Sequence, residues 1–429
     1  MTSTPSIAME PCGPVSGSIR PPGSKSITNR ALVCAALAKG RSTLVDVLDS
    51  EDTRVMFEAL GQLGIAMAFD PAERVITATG CDGRLPANRA DVFVANSGTT
   101  ARFLAAMLCL GEGIYRLDGV ERMRERPIQD LIDALRQLGA DVSSDADSGC
   151  PPLLIRAHGL NGGPARMRGA ISSQFLSGLL MAAPYAKQPI EVVIEGELVS
   201  KPYVAMTLAV MRAFGAEIDA RDLTRFRVHT ERGYAAREYT IEPDASAASY
   251  FWAAAAITGG EVRVEGLNRQ SLQGDVRFVD VLAQMGCSVR DDGQSITVRG
   301  GPLRGVTVDM NAISDTVQTL AAVSLFAEGP TRITHVEHIR HKETDRLAAL
   351  ATELRKLGAE VRENADGLEI TPGPLRGARI ATYHDHRMAM SLALVGLRTA
   401  GVVILDPDCT AKTYPQFFSD LAALTATSR

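Results

Sequence analysis

The sequence is poor in aromatic residues and has no excess of basic ones. Only 5% of its 429 residues are Phe, Trp or Tyr, so stacking platforms for single-stranded nucleic acid are not expected. Lys and Arg number 45 against 50 Asp and Glu, which gives a net charge of −5. Nucleic-acid-binding domains usually show the opposite imbalance. We therefore expect no nucleic-acid partner.

Long apolar runs and paired cysteines are also lacking. The sequence has no apolar run of about 18 residues, the length needed to cross a bilayer, and its first residues do not resemble a secretory signal. Seven cysteines occur without any Cys-x-x-Cys pair, so we expect free thiols. A catalytic cysteine stays open, although no obvious base accompanies one. These features predict a cytoplasmic protein with no membrane partner.

What the sequence does contain is an internal repeat. Helical segments that end in glycine recur at separations of 75, 76, 71 and 72 residues. In the clearest repeat the order is β-α-β-α-β-β, and the chain has room for six such repeats. A repeat this long favours a few copies packed about a shared axis over a solenoid. The glycines are Gly64, Gly139, Gly215, Gly286 and Gly358.

Three repeats in each of two domains is the simplest grouping, and it predicts an α/β fold. The third repeat ends near 239–244, and the opening twenty residues could belong with the C-terminal half. We therefore predict one domain at 22–242 and a second made of 1–21 plus 243–429.

Several predicted helix starts carry a cation. Caps explain the Ser, Thr and Asp residues there, because their side chains satisfy free backbone N–H groups. Caps do not explain the cations, which are disfavoured beside the positive end of a helix unless an anion binds there too. We therefore predict that these helix starts converge on an anionic ligand. The cations are Lys25, Arg126, Lys342, Arg387 and Lys412.

PPGSKSITNR is the most informative segment. Lys25, Ser26 and Arg30 can share one side of a helix, although a capped core helix is the alternative interpretation. The spacing differs from that of a P-loop, so nucleoside triphosphate hydrolysis is not indicated. In ISSQFLSGLL, Ser172, Ser173 and Gln174 suit a phosphate or a sugar-like hydroxyl, whereas a lone Ser172 would be a cap.

Histidines raise the question of a metal. His335, His338 and His341 lie close in sequence, but an irregular loop with this spacing does not assemble metal ligands, so we predict no metal. His386, beside Arg387, is open to three interpretations: metal ligand, general acid or helix cap.

Nine segments in order resemble the EPSP synthase family, the 3-phosphoshikimate 1-carboxyvinyltransferases. They cover nearly the whole chain: PGSKSITNRAL, NSGTTAR, RERPI, SSQFLSGLL, SKPY, DASAASYF, KETDR, DHRMAM and CTAKTYP. The resemblance implies a two-domain inside-out α/β barrel, each domain with three β-α-β-α-β-β units about a pseudo-threefold axis. It also implies an active site in the cleft between the domains, a monomer, and no cofactor.

The resemblance further implies an addition–elimination reaction of the shikimate pathway. The enolpyruvyl group of phosphoenolpyruvate is transferred to the 5-hydroxyl of shikimate 3-phosphate, giving 5-enolpyruvylshikimate 3-phosphate and phosphate. The pathway leads to chorismate and the aromatic amino acids.

Site residues carry over by position. Asp315 matches the base that accepts the hydroxyl proton. Glu343 matches the proton donor, which acts either directly or through a relay by Lys25 or His386. The shikimate 3-phosphate contacts implied are Lys25, Ser26, Arg30, Ser172, Ser173, Gln174, Ser200, Tyr203, Asp315 and Lys342. The phosphoenolpyruvate contacts implied are Lys25, Gly98, Arg126, Gln174, Arg346, Arg387 and Lys412.

Two departures and two alternatives remain. His338 stands where many members have Asn, and Phe103 where many have Pro. Gly98 is the small residue of glyphosate-sensitive members.

A UDP-N-acetylglucosamine enolpyruvyl transferase would have a reactive cysteine near 113–127, where none occurs. A non-catalytic phosphosugar-binding protein would be expected to lose Asp315 or Glu343, and both are present.

Overall fold

The computed structural model describes residues 5–426. The predicted domain of 1–21 plus 243–429 therefore includes short ends, 1–4 and 427–429, that lie outside the described residues. No helix in the described part of the chain is long and apolar enough to span a bilayer.

The described residues form twelve α-helices. They are α1 Lys25–Leu37, α2 Glu51–Gln62, α3 Gly98–Leu108, α4 Gln129–Gln137, α5 Ser173–Ala182, α6 Lys201–Ala213, α7 Ala245–Thr258, α8 Phe278–Gln284, α9 Val317–Ser324, α10 Arg346–Lys356, α11 His386–Ala393 and α12 Phe417–Ala426.

The strands of residues 5–426 are short. They are β1 Ser6–Ala8, β2 Ser16–Ile19, β3 Lys39–Val45, β4 Ala66–Asp70, β5 Val75–Cys81, β6 Arg89–Phe93, β7 Glu112–Asp118, β8 Asp141–Ser144, β9 Leu153–His158, β10 Gly163–Arg168, β11 Ile190–Glu195, β12 Ile218–Arg221, β13 Arg225–Val228, β14 Glu238–Thr240, β15 Glu261–Glu265, β16 Ser288–Asp291, β17 Ser295–Arg299, β18 Thr307–Asp309, β19 Thr331–Thr334, β20 Glu360–Asn364, β21 Gly367–Thr371, β22 Arg379–Ile380 and β23 Val403–Leu405.

The chain divides into two compact domains. The middle domain spans Gly23–Ile241, and the terminal domain contains the described residues on either side of it. The predicted repeat appears in full as β6-α3-β7-α4-β8-β9. Its sheet order is β6-β7-β9-β8, with β6 parallel to β7 and the other pairs antiparallel. Two further sheets, β10-β11-β13-β12 and β18-β19-β21-β20, have the same order.

Two sheets take their first strand from a distant part of the chain. In the middle domain β14 pairs in parallel with β3, and in the terminal domain β2 pairs in parallel with β15. Helix α1 follows β2 in sequence but contacts β3 and β5, while α7 follows β14 but contacts β15. The chain therefore passes from one domain to the other twice.

The sixth sheet has three strands in the order β1-β23-β22. Strand β1 pairs antiparallel with β23, Ser6 opposite Leu405. It occupies the position that the last strand of a repeat fills in the complete four-stranded sheets. The final repeat is thus closed by the N-terminal strand.

The helices that follow the first strand of each repeat lie inside the domains. All eleven residues of α3 and all fourteen of α7 are buried. A helix that is apolar on every side needs neighbours all round, and α1, α3 and α5 contact one another, as α9 contacts α7 and α11. The strands alternate buried and exposed residues, as in β15. Helices inside and sheets outside confirm the predicted two-domain, inside-out α/β fold.

The α9 helix should dominate the stability of the terminal domain. Leu320 is fully buried in α9, so Leu320→Ala should lower the free energy of unfolding by about 2–5 kcal/mol. Urea denaturation can be followed by the sole tryptophan, Trp252, which is fully buried in α7. Glu328→Ala, an exposed site, should change it by less than about 0.5 kcal/mol. Equal effects of the two variants would contradict this core.

Candidate active site

The inner helices of the middle domain begin close together. Asn29 Nδ2 in α1 donates to Thr99 Oγ1 in α3 at 3.0 Å. A methyl group built on Gly98, the first residue of α3, would lie 3.1 Å from Oε1 of Gln174 in α5 and 3.0 Å from Cζ of Arg126. The starts of α1, α3 and α5 and the segment before α4 therefore meet at one place. We call these four segments the Lys25 cluster. They include Lys25 of α1, Gly98 of α3, Ser172 and Gln174 at the start of α5, and Arg126 before α4.

Serine caps all three helices. Each cap accepts a hydrogen bond from a backbone N–H in the first turn, so the capping interpretation is correct for Ser172. Its Oγ accepts from the Gln174 N–H at 3.2 Å, which leaves the hydroxyl hydrogen able to donate. Ser173 beside it is buried. The caps are Ser24, Ser97 and Ser172.

Lys25 is oriented by a buried carboxylate. Its Nζ lies 3.4 Å from Oδ2 of Asp52, and the two side chains are only 11% and 3% exposed. Asp52 belongs to the first turn of α2. Because water is largely excluded, this ion pair fixes the direction of the ammonium group more firmly than a surface pair would.

Arg30 lies inside the middle domain. Its Nε donates to Thr207 Oγ1 at 2.7 Å, Nη1 to the Ser26 carbonyl at 2.9 Å, and Nη2 to the Tyr203 carbonyl at 3.2 Å. Burial lowers the pKa of Arg30 to about 10, so it remains a cation at neutral pH. Arg30 thus joins α1 to α6 and fixes the backbone of two other predicted substrate contacts, Ser26 and Tyr203.

Phe103 is in contact with this guanidinium. Cζ of Arg30 lies 5.1 Å from the centre of the Phe103 ring, within cation–π range. Phe103 is buried. The side chain that departs from the family pattern therefore touches a predicted substrate contact rather than solvent.

Arg126 and Ser200 are two further predicted site residues of the middle domain. Arg126 is buried, and its Nη1 donates to the carbonyl and the Oδ1 of Asn96 at 2.9 and 3.1 Å. Ser200, at the start of α6, has a positive φ of 54°, and its carbonyl accepts the Tyr203 N–H at 3.0 Å.

In the terminal domain the predicted residues gather around Asp315, in the 3₁₀ segment Asn311–Thr316 just before α9. Its Oδ1 accepts from Lys342 Nζ at 2.5 Å and from Arg346 at 3.4 Å, and its Oδ2 from Arg387 at 2.8 Å. We call these four residues, with Glu343 and Asp385, the Asp315 cluster. The sequence segments that supply them lie up to 72 residues apart, so the repeat brings them together.

Arg346 is the centre of this cluster. It is 1% exposed, and it donates to Asp385 Oδ2 at 2.7 Å and to Glu343 Oε2 at 2.9 Å. Burial opposes its charge, but Asp385 and Glu343 outweigh that effect and raise the pKa of Arg346 above its ordinary value. Burial instead lowers the pKa of Lys342, and Asp315 only partly offsets it.

Asp385, not His386, caps α11. The Asp385 carboxylate is fully buried and accepts the Arg387 N–H at 2.9 Å. The capping interpretation of His386 is therefore wrong, because His386 is the first residue of the helix. Lys412 is also buried, at the end of the 3₁₀ segment Pro407–Lys412, which packs against α11.

The charges in the Asp315 cluster are matched. Three carboxylates and three cations form one network, whereas the sequence predicted cations held by a ligand anion. An anionic ligand would compete with these carboxylates for the same N–H donors. The acids are Asp315, Glu343 and Asp385, and the cations are Lys342, Arg346 and Arg387.

The cysteine and metal alternatives gain no support. Burial raises the pKa of Cys34, Cys109 and Cys409 to about 12 and that of Cys287 to about 11, so their thiolates are scarce at neutral pH. Within residues 5–426, no three His, Cys, Asp or Glu side chains are grouped to hold a metal ion.

Three of the predicted cations, Arg126, Lys342 and Lys412, lie a few residues before α4, α10 and α12 rather than at the helix starts themselves. Fold and site together define a class: a two-domain α/β protein with buried ionised groups at helix starts or just before them, suited to small polyanions. The EPSP synthase (3-phosphoshikimate 1-carboxyvinyltransferase) family model matches residues 9–421. A 3-phosphoshikimate 1-carboxyvinyltransferase from Trichormus variabilis is 50% identical over 408 residues, 95% of this chain and 96% of that protein. The chain belongs to the EPSP synthase family, and is therefore a transferase.

Other relatives agree. A 3-phosphoshikimate 1-carboxyvinyltransferase from Shewanella sp. (strain MR-7) is 48% identical over 423 residues, covering 98% of this chain and 99% of that protein. The solved EPSP synthase of Acinetobacter baumannii has a TM-score of 0.80 at 26% identity, covering 98% of this chain and 97% of that chain. The family resemblance read from the nine motifs is confirmed.

Sequence reasoning missed the carboxylates that position the cations. Asp52 holds Lys25, and Asp385 holds Arg346. Each stands at a helix start, in SEDTR and DHRMAM, and each looks like a cap or a dipole partner. Their burial is what separates them from ordinary first-turn acids, and burial is not readable from the motif.

His338 should make stability depend on pH. Burial, together with the Lys342 charge, lowers the pKa of His338 to about 3. Its pKa in the unfolded chain is near 6.5, so between these values the unfolded chain binds a proton that the folded chain does not. Wild type should lose about 1.4 kcal/mol per pH unit below about pH 6 relative to His338→Asn. Urea denaturation of both at pH 7, 6 and 5 measures this, and parallel pH profiles would contradict it.

Proposed function

We propose that this chain transfers the enolpyruvyl group of phosphoenolpyruvate to the 5-hydroxyl of shikimate 3-phosphate, releasing phosphate. Membership of the family and relatives that are 48–50% identical over 95–98% of the chain support the proposal. The reaction belongs to the shikimate pathway, which supplies chorismate for aromatic amino acids.

The observation that carries the proposal is the setting of Asp315. Its two oxygens are held by Lys342 and Arg387 at 2.5 and 2.8 Å, so the carboxylate cannot rotate freely. Fixed in this way, Asp315 accepts the proton of the substrate hydroxyl as the hydroxyl attacks. A positioned acid or base typically contributes about 10²–10⁴-fold to the rate.

Glu343 is the proposed proton donor. Its Oε2 lies 2.9 Å from Arg346, and the residue is 9% exposed. Donation to the methylene of phosphoenolpyruvate makes the adjacent carbon electrophilic, and the hydroxyl adds to that carbon. Phosphate then leaves the tetrahedral intermediate as a proton is removed from the newly formed methyl group, which restores the carbon–carbon double bond. Lys25 or His386 is the candidate relay for the proton.

Anion binding is assigned to both clusters. Phosphoenolpyruvate would be bound by the Gly98 backbone and by cations that are buried or nearly so, since fixed donors in a dry site bind phosphate and carboxylate without a metal. Shikimate 3-phosphate would be bound by Lys25, Arg30, Asp315 and Lys342 together with hydroxyl and amide side chains of the middle domain. The cations are Lys25, Arg126, Arg346, Arg387 and Lys412, and the polar groups are Ser26, Ser172, Ser173, Gln174, Ser200 and Tyr203.

A cytoplasmic monomer with no nucleic-acid partner is part of the same proposal. The slight acidic excess supports the last point.

Removing either carboxylate should abolish most turnover. Asp315→Asn and Glu343→Gln should each lower kcat by about 10²–10⁴-fold, because each variant loses one proton-transfer group. Phosphate release with both substrates is the assay. Asp309→Asn is the matched control, since this exposed acid forms an ion pair with His335 on the surface. Full turnover in both site variants would overturn the assigned roles.

Gly98→Ala should disturb phosphoenolpyruvate more than shikimate 3-phosphate. The new methyl would meet Arg126 Cζ at 3.0 Å and Gln174 Oε1 at 3.1 Å, so both side chains must shift. We expect the KM for phosphoenolpyruvate to rise about tenfold, roughly the loss of one charge-assisted hydrogen bond. Glyphosate, which should compete with phosphoenolpyruvate, should inhibit less.

The control for this substitution is Gly61→Ala. Gly61 lies in α2, and a methyl there meets nothing within 4 Å. Unchanged KM and inhibition constants for Gly98→Ala would reject the steric account.

A further inference from the structure

A buried carboxylate outside the Asp315 cluster calls for an explanation. Glu353, in α10, is fully buried, and a buried carboxylate is costly unless it is paired. It accepts from Lys356 Nζ at 2.7 and 2.8 Å, from the Tyr383 hydroxyl at 2.7 Å and from the Ala381 N–H at 3.1 Å. Two of its three partners belong to one loop, the segment 381–385 between β22 and α11.

That loop is strained. Tyr383 and His384 have φ values of 56° and 53°, in the left-handed region that side chains other than glycine rarely adopt. Residues in this conformation are strained and persist where surrounding contacts fix them. The Asp385 N–H also closes a turn onto the Thr382 carbonyl at 2.9 Å.

Helix α10 holds this loop at two points. Arg346 and Glu353 are seven residues apart, about two helical turns, so both point toward the same side. Arg346 binds Asp385 at 2.7 Å, while Glu353 binds Ala381 and Tyr383. The strained residues lie between the two attachments.

A further side-chain contact of the loop, made by His384, is weaker. His384 Nδ1 lies 2.8 Å from Asp406 Oδ2, but the histidine is 89% exposed, and exposed pairs contribute little. Burial and the hydrogen bond to Glu353 raise the pKa of Tyr383 to about 12, so its hydroxyl keeps its proton and donates throughout the neutral range.

We infer that Glu353 and Tyr383 are positioning residues for the Asp315 cluster. They fix the loop that delivers Asp385, and Asp385 in turn holds Arg346 and the first N–H groups of α11, including that of Arg387. Loosening the loop lets both arginines move relative to Asp315. The inference rests on the proposed function for its effect on turnover, but not for its effect on the loop.

The test compares two contacts of the same loop. Tyr383→Phe removes the hydrogen bond to the buried Glu353, and His384→Ala removes the exposed pair with Asp406. Because Tyr383 is 38% exposed and His384 89% exposed by side chain, both variants should fold. Tyr383→Phe should raise the KM for phosphoenolpyruvate about tenfold, the change expected for one charge-assisted hydrogen bond. His384→Ala should leave this KM unchanged.

Amide hydrogen exchange of the full-length variants gives a readout independent of activity. Tyr383→Phe should speed exchange of the Asp385 and Arg387 amides about tenfold, and His384→Ala should not. Exchange that is unaltered in both, or equally faster in both, would overturn the inference. If wild type releases no phosphate from the two substrates, the proposed function fails, while the exchange comparison still decides the role of the loop.

Discussion

The terminal-domain site depends on one buried guanidinium. Arg346 is 1% exposed, so its charge is tolerated only because carboxylates surround it. Those carboxylates, Asp385, Glu343 and Asp315, are in turn the groups that cap α11, the proposed acid and the proposed base. A single desolvated cation therefore sets the spacing of the proposed proton-transfer groups. Moving it would leave three acids without their common partner.

The middle domain solves the same problem differently. Arg30 is as deeply buried, yet it donates to hydroxyl and carbonyl oxygens that carry no charge. Its pKa is accordingly lowered, whereas carboxylates raise that of Arg346. In the first arrangement Arg30 donates to uncharged oxygens and keeps its positive charge for a phosphate, while in the second three carboxylates surround Arg346. This division agrees with the roles proposed for the two clusters.

Several helix starts could be predicted because they carry their own side-chain cap, as Ser24 does for α1 and Asp244 for α7. Pairing between distant strands has no local signal, so the closure of the last sheet by β1 was not predictable. The positioning acids escaped notice for a related reason. Asp52, Asp385 and Glu353 occur where helix dipoles or solvent-facing positions also favour acids, and only the folded structure shows that all three are buried.

Strands β1 and β2 pair with strands much later in the chain, which imposes an order on folding during synthesis. Strand β1 pairs with β23 at Ser6 and Leu405, and β2 pairs with β15 at Ser16 and Glu261. Neither strand can join its sheet until its later partner has been synthesised. A growing chain therefore emerges from the ribosome with its first strands unpaired, and the middle domain can finish first, once β14 has followed. Loop closure over such distances adds little free-energy cost, but it slows assembly. An N-terminal fusion or deletion should therefore disturb the sheets whose other strands come from the second half of the chain.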